Sequence, residues 1–347
     1  MSDPVVDPVI DAPIAPPAPA SPATALPAVA EAERPSPLRI WLLAARPATL
    51  PAALSGVVVG LGAALESGAA FRFDTALGCL VVAILLQVVA NFANDLSDFR
   101  RGADTPDRQG PLRVAAAGLV TERELEVAIG VAIGIAGIVG LWLAYVGGPV
   151  LLVLGLLAVV AALAYTGGPW PYGYRGLGEV FVFVFFGLVA VVGTAYLQAG
   201  RLDPVFFAAA IPPGALITAI LVVNNLRDIP TDRAAGKRTL AVVLGRERTA
   251  DEYVLLLAVA YLVPLVLFVV WALGGVPEGS SAIWILGVLL PLVTVALAMP
   301  LVRVVRGFEE PRQLNLVLKG TARLAFAFSV LFAIGLALAG IAAGGPG

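Results

Sequence analysis

After residue 35 the chain is a succession of nine apolar stretches, near 39–66, 73–97, 123–146, 148–166, 177–199, 204–226, 251–274, 282–303 and 319–343. Each is long enough to cross a bilayer, some with tilt. Backbone in lipid must satisfy its own N–H and C=O groups, so such stretches are read as helices. The predicted fold class is an all-α membrane protein with about nine transmembrane helices. Composition agrees: 13% of the 347 residues are charged and 59% hydrophobic, whereas a soluble domain carries about 25% charged residues. Gly147-Gly148-Pro149 is all that separates the third stretch from the fourth, which predicts a tight turn between antiparallel helices.

Residues 1–35 are rich in Pro and Ala and have no basic segment ahead of an apolar core. They read as a disordered tail and not as a signal peptide, with 36–347 as the transmembrane domain. With the N-terminus in the cytoplasm, twenty of the 22 Lys and Arg residues fall on the inner side and only Arg72 and Arg201 on the outer. That is the sense of the positive-inside rule.

Two of the apolar stretches end in carboxylates. The first ends NFANDLSD at 91–98, with Asp104 and Asp107 following; the second ends NNLRDIPTD at 224–232. At about 100° per residue, Asn91, Asp95 and Asp98 share one helical face. Asp228 lies one turn beyond Asn224, while Pro230 is expected to kink or end that helix and leave Asp232 on a loop. Each acidic end is followed by a basic, Gly-containing loop, a weak internal symmetry that parallel-repeat transporters also show. Taken singly, either cluster is explained by a solvated helix end paired with Arg100, Arg101 or Arg227. Taken together they call for a positive partner, because acids at helix C-termini oppose the macrodipole.

The chain has no His, and its one cysteine, Cys79, lies in an apolar stretch. His-based acid–base chemistry and His ligation are excluded, as is an internal disulfide. A bound metal must take oxygen ligands, which selects a hard cation such as Mg²⁺. The nearby basic residues Arg108, Arg113, Lys237 and Arg238 suit a phosphate group, although the inward charge bias alone also explains them. Net charge is −2, so no overall basic field for nucleic acid exists. The loop 165–179, YTGGPWPYGYRGLGE, carries five glycines, two prolines and three tyrosines. It is either an interfacial aromatic belt or a lid over an aromatic substrate and a developing cation.

Four segments carry a family likeness: WLLAARPATLPAALSGVVVG (41–60), NFANDLSDFRRGADTPDRQGP (91–111), YTGGPWPYGYRGLGEVFVFVFFG (165–187) and NNLRDIPTDRAAGKRTLAVVLG (224–245). In these the chain resembles the UbiA superfamily of intramembrane prenyltransferases, and within it the 1,4-dihydroxy-2-naphthoate polyprenyltransferase branch. The resemblance implies a UbiA-like bundle around a central cavity at the cytoplasmic side of the cell membrane. It implies Mg²⁺ as cofactor, with polyprenyl diphosphate, 1,4-dihydroxy-2-naphthoate and membrane lipid as partners. Matched position by position, Asp95, Asp98, Asp228 and Asp232 are the metal candidates. Arg108, Lys237 and Arg238 are the diphosphate candidates. Asn91, Asn224 and Tyr165 are candidate catalytic residues, and Tyr172, Tyr174 and Arg175 candidates for the acceptor or lid. The implied reaction joins the prenyl group to the naphthoate ring with loss of CO₂ and diphosphate. A relative acting on another aromatic acceptor is one alternative. A cation-coupled transporter is a second, disfavoured because the acids lie at helix ends and not at mid-bilayer.

Overall fold

A computed structural model describes residues 35–102, 112–274 and 282–342. Asp104, Asp107, Arg108 and the tail 1–34 lie outside the described residues.

The described residues are helical, without strands. Helix α1 (Pro37–Ala45) turns at Arg46 into α2 (Leu50–Glu66), and α3 is Phe73–Arg100. Helices α4 (Glu122–Gly147) and α5 (Pro149–Ala164) follow. The fifth apolar stretch is α6 (Gly178–Val182), a π-helical segment Phe183–Val189 and α7 (Ala190–Ala199). Then come α8 (Pro204–Ala234), α9 (Leu240–Gly274), α10 (Val295–Gly307) and α11 (Leu314–Ala342).

Among the described residues eight helical runs are long and apolar enough to span a membrane, and Pro149–Ala164 is a shorter apolar ninth. At 1.5 Å per residue the 16 residues of α5 reach about 24 Å, short of the roughly 30 Å hydrocarbon core. Local thinning of the bilayer accommodates such a helix.

Local signals set the boundaries. At the start of α4, the Thr121 hydroxyl accepts from the Glu124 N–H at 3.2 Å, and Glu124 Oε2 accepts from the Thr121 N–H at 2.7 Å. This reciprocal pair satisfies two otherwise orphaned donors. Gly148 (φ 97°) makes the turn before Pro149, as the sequence predicts. Pro230 does not end α8, which runs on to Ala234. One missing donor near a helix end is a small loss, and Asp232 is therefore on the helix, one turn beyond Asp228.

Helices in lipid gain little from the hydrophobic effect against one another, so close packing of small residues carries much of the association. A Cβ placed on Gly187, in the π segment, would lie 2.8 Å from the Gly214 Cα of α8. Only glycines let these two backbones approach so closely. Val59, Val191, Leu216, Tyr253, Phe328 and Leu336 belong to the larger core, gathered from α2 and α7 to α11. A second core gathers Ile40, Val89, Phe92, Val114 and Leu125 from α1, α3, α4 and the strap 113–120. Apolar side chains such as Ile138, Leu156, Val160 and Leu262 point outward, as a lipid-facing surface requires.

Candidate active site

The site is built at one end of the bundle from the ends of α3 and α8, the strap 113–120 and the loop after α5. The Asp98 carboxylate is its centre. Oδ2 accepts from the Arg113 guanidinium at 2.6 Å and Oδ1 from the Tyr174 hydroxyl at 2.6 Å. Lys237 Nζ stands 3.6 Å from Asp98 and 3.7 Å from Asp232. The two 2.6 Å contacts of Asp98 are in the range of strong charge-assisted bonds, and the Lys237 contacts are longer ion pairs. One ammonium thus sits between the two acidic motifs and shows that they converge.

Lys237 arrives there through backbone geometry. Gly236 takes φ 71°, and the N–H of Lys237 donates to Asp232 O at 2.8 Å while that of Gly236 donates to Arg233 O at 3.1 Å. This is the paired closure that ends a helix on a left-handed glycine. It folds Lys237 back over the last turn, toward the Asp232 side chain. The next N–H, of Arg238, donates to Tyr174 O at 2.9 Å, while the Arg238 side chain is exposed.

The loop 165–179 is ordered by the same cluster. Lys237 Nζ lies 4.6 Å and the Arg101 guanidinium 5.5 Å from the centre of the Tyr174 ring, so the ring is flanked by two cations. Burial, with the Asp98 carboxylate beside it, pushes the Tyr174 hydroxyl above its ordinary range and keeps it a donor. Tyr172 is packed inside: its hydroxyl donates to Ala161 O at 2.9 Å, and its ring stacks on Phe181 at 4.0 Å and edges Tyr165 at 5.4 Å. Arg175 is exposed and lies over Trp170 at 4.9 Å. Of the three acceptor or lid candidates, only Tyr174 touches the acids. Tyr165 makes no side-chain hydrogen bond among the described residues. Burial and then the Glu179 charge hold its hydroxyl well above the ordinary range.

Asp95 is buried one turn before Asp98 and accepts from the Val114 N–H at 3.0 Å. The strap residues Arg113 and Val114 thus engage both acids of the first motif. Asp228 belongs to a separate network. Arg227 grips it with two bonds of 2.8 and 2.6 Å, and also donates to Asn224 at 2.8 Å and to Asn315 of α11 at 2.8 Å. Arg227 is only 1% exposed. Sequence reasoning treated it as a local counter-charge and did not name Asn315. The adjacency of Arg227 to Asp228 suggests this local pair, whereas its burial and its bond to Asn315 of α11 leave no mark in the spacing.

Asn91 faces elsewhere. Its amide donates to Ala45 O at 2.9 Å and Thr49 Oγ1 at 3.1 Å, and accepts from Gln87 at 3.3 Å. These bonds hold the corner where Arg46 takes φ 51° between α1 and α2. Asn94 accepts from Thr166 at 2.9 Å and ties α3 to the loop 165–179.

The donor set fits a hard divalent cation: carboxylate oxygens from two helices converge where a positive charge already resides. Among the described residues, however, no three acids stand close enough to hold an ion unaided. Mg²⁺ commonly uses one or two carboxylates and completes its shell with phosphate oxygens and water.

Residues 53–313 match the UbiA prenyltransferase family. The chain belongs to this family. It is 46% identical over 70% of its length to the 1,4-dihydroxy-2-naphthoate octaprenyltransferase of Mycobacterium tuberculosis, covering 83% of that protein. It is 39% identical over 86% of its length to the Escherichia coli protein of the same name, covering 95% of it. The fold resembles a UbiA homolog from Archaeoglobus fulgidus bound to GPP and Mg²⁺. The TM-score is 0.59 at 18% identity, over 86% of this chain and 99% of the other. The expected UbiA-like all-α membrane fold is the one observed.

Proposed function

We propose that this chain transfers a polyprenyl group from polyprenyl diphosphate to 1,4-dihydroxy-2-naphthoate, releasing diphosphate and CO₂ and giving demethylmenaquinol. The observation that carries the reading is the convergence of Asp98 and Asp232 on the Lys237 ammonium. A metal-bridged diphosphate needs acids for the cation and a base for the phosphate in one small space. The relatives' names supply the acceptor.

Asp95, Asp98, Asp228 and Asp232 would hold Mg²⁺. Bound there, Mg²⁺ would neutralise charge on the diphosphate as the allylic C–O bond breaks. Lys237 and the exposed Arg238 receive the phosphate oxygens from the protein side, preorganised by the helix closure at Gly236. Tyr174 and Arg113 fix the Asp98 carboxylate so that little rearrangement is needed on binding. The aromatic face of Tyr165 would favour a developing cation, while Tyr172, stacked on Phe181, supports that ring from inside. The apolar bundle interior takes the isoprenoid tail. The ring carbon attacks the allylic carbon, the diphosphate leaves with the bonding pair, and the carboxylate departs as CO₂, returning its pair to the ring. By the inward bias of Lys and Arg, the N-terminus and the site lie on the cytoplasmic side of the cell membrane.

Product analysis tests the reading. Purified protein in detergent is given Mg²⁺, a series of prenyl diphosphates and one of three acceptors: 1,4-dihydroxy-2-naphthoate, 4-hydroxybenzoate or homogentisate. The prenylated naphthoquinol and stoichiometric CO₂ are expected with the first acceptor. Turnover with another acceptor alone would overturn the assignment.

A further inference from the structure

One buried acid has no part in the site as described. Glu179 opens α6, and it is 6% exposed. Its Oε1 accepts from Asn225 Nδ2 at 2.9 Å. Its Oε2 is buried without a hydrogen-bond partner among the described residues. A buried oxygen left so costs roughly 1–3 kcal/mol, and such a group in a native fold calls for an explanation.

Its position supplies one. Asn225 shares the face of α8 that carries Asp228 and Asp232. Seven residues separate Asn225 from Asp232, which is about 10 Å along the helix. Gly178, next to Glu179, is packed against Tyr165: a Cβ there would lie 3.3 Å from Tyr165 Cε2 and 3.7 Å from its hydroxyl oxygen. Titratable groups within electrostatic reach of Glu179 include Tyr165 and, from α9, Glu252. The acid therefore stands beside the Tyr165 ring, about two helical turns along α8 from Asp232.

We infer that Glu179 is the proton acceptor for a ring hydroxyl of the aromatic substrate. The inference rests on the proposed function. As the ring carbon bonds to the allylic carbon, the hydroxyl O–H bond breaks and its proton passes to Glu179 Oε2. The C–O pair leaves on the diphosphate. When the ring–carboxylate bond then breaks, CO₂ departs and its pair restores the ring, leaving a phenolate. The phenolate takes the proton back from Glu179, so no net proton is released. Asn225 fixes the carboxylate so that Oε2 faces the ring.

The test is Glu179→Gln, whose amide oxygen still accepts from Asn225. Under the conditions that give product with the wild type, kcat is expected to fall about 100-fold or more. KM for both substrates is expected to stay unchanged, and the acid limb of the kcat–pH profile to vanish. Glu179→Asp is expected to recover part of the rate. A Gln variant within twofold of wild type with the same pH profile would overturn the inference, as would a raised KM at unchanged kcat. If Glu179→Gln does not fold, Asn225→Ala decides: a lower kcat with a displaced acid limb supports the inference, and an unmoved limb overturns it. A wild-type chain that yields no prenylated product refutes the parent reading instead.

Discussion

Asp98 at the end of α3 and Asp232 at the end of α8 share one ammonium, that of Lys237, at 3.6 and 3.7 Å. The contact joins two acidic motifs that are far apart in sequence and makes Lys237 the charge common to both. Lys237→Met removes that charge from the proposed diphosphate site. We expect kcat to fall roughly 100-fold or more, with a higher KM for the prenyl diphosphate, in steady-state assays. Lys237→Arg keeps the charge and should retain part of the rate.

Arg227 is the most buried charge in the second motif, and Asp228, Asn224 and Asn315 all face it. Removing one member of a buried ion pair strands the other, at about 3–5 kcal/mol. Arg227→Ala should lower the thermal midpoint in detergent by several degrees or prevent folding. Asn315→Ala, which removes one neutral acceptor, should cost about 1–3 kcal/mol.

Tyr165, Tyr172 and Tyr174 are each pushed above the ordinary tyrosine value of 10, in every case chiefly by burial. A group whose folded value is raised binds its proton more tightly in the folded state. Stability is therefore intact below pH 10 and falls as pH climbs above it, where the unfolded chain ionises first. Native protein should show tyrosinate absorbance from fewer than its seven tyrosines until it unfolds. Tyr174→Phe should unfold at a higher pH than wild type.

Gly236 takes a left-handed conformation that an L side chain adopts only at a cost of about 1 kcal/mol. Gly236→Ala should lower stability by about that amount. Its larger effect should be on catalysis, because the closure it supports aims Lys237. A lower kcat with near-wild-type thermal stability would be the signature.

The membrane spans were legible because a lipid-crossing helix needs some twenty apolar residues and leaves a long imprint. The acidic motifs and Lys237 were legible because charges are so rare in this chain. Pro230 misled, since the local rule that proline ends helices ignores how little one missing bond matters near a terminus. Helical spacing grouped Asn91 with Asp95 and Asp98, but its partners, Ala45 and Thr49, come from a corner remote in sequence and turn it away from the acids. Arg227 and Asn315 meet only because α8 packs on α11, a contact that no window along the chain contains. Glu179 looked like the last residue of a glycine-rich loop, and its buried position emerged only with Asn225 opposite it.

The two acidic motifs are proposed to make one metal–diphosphate site. The most direct test is the thermal midpoint of wild type, Asp98→Asn and Asp232→Asn with a non-reacting prenyl diphosphate analogue, with and without Mg²⁺. Ligand at 100 times its dissociation constant should stabilise the folded wild type by about 2.7 kcal/mol. That shift is predicted to require both Mg²⁺ and analogue and to vanish in each variant. An equal, Mg²⁺-dependent shift in either variant would contradict the shared site.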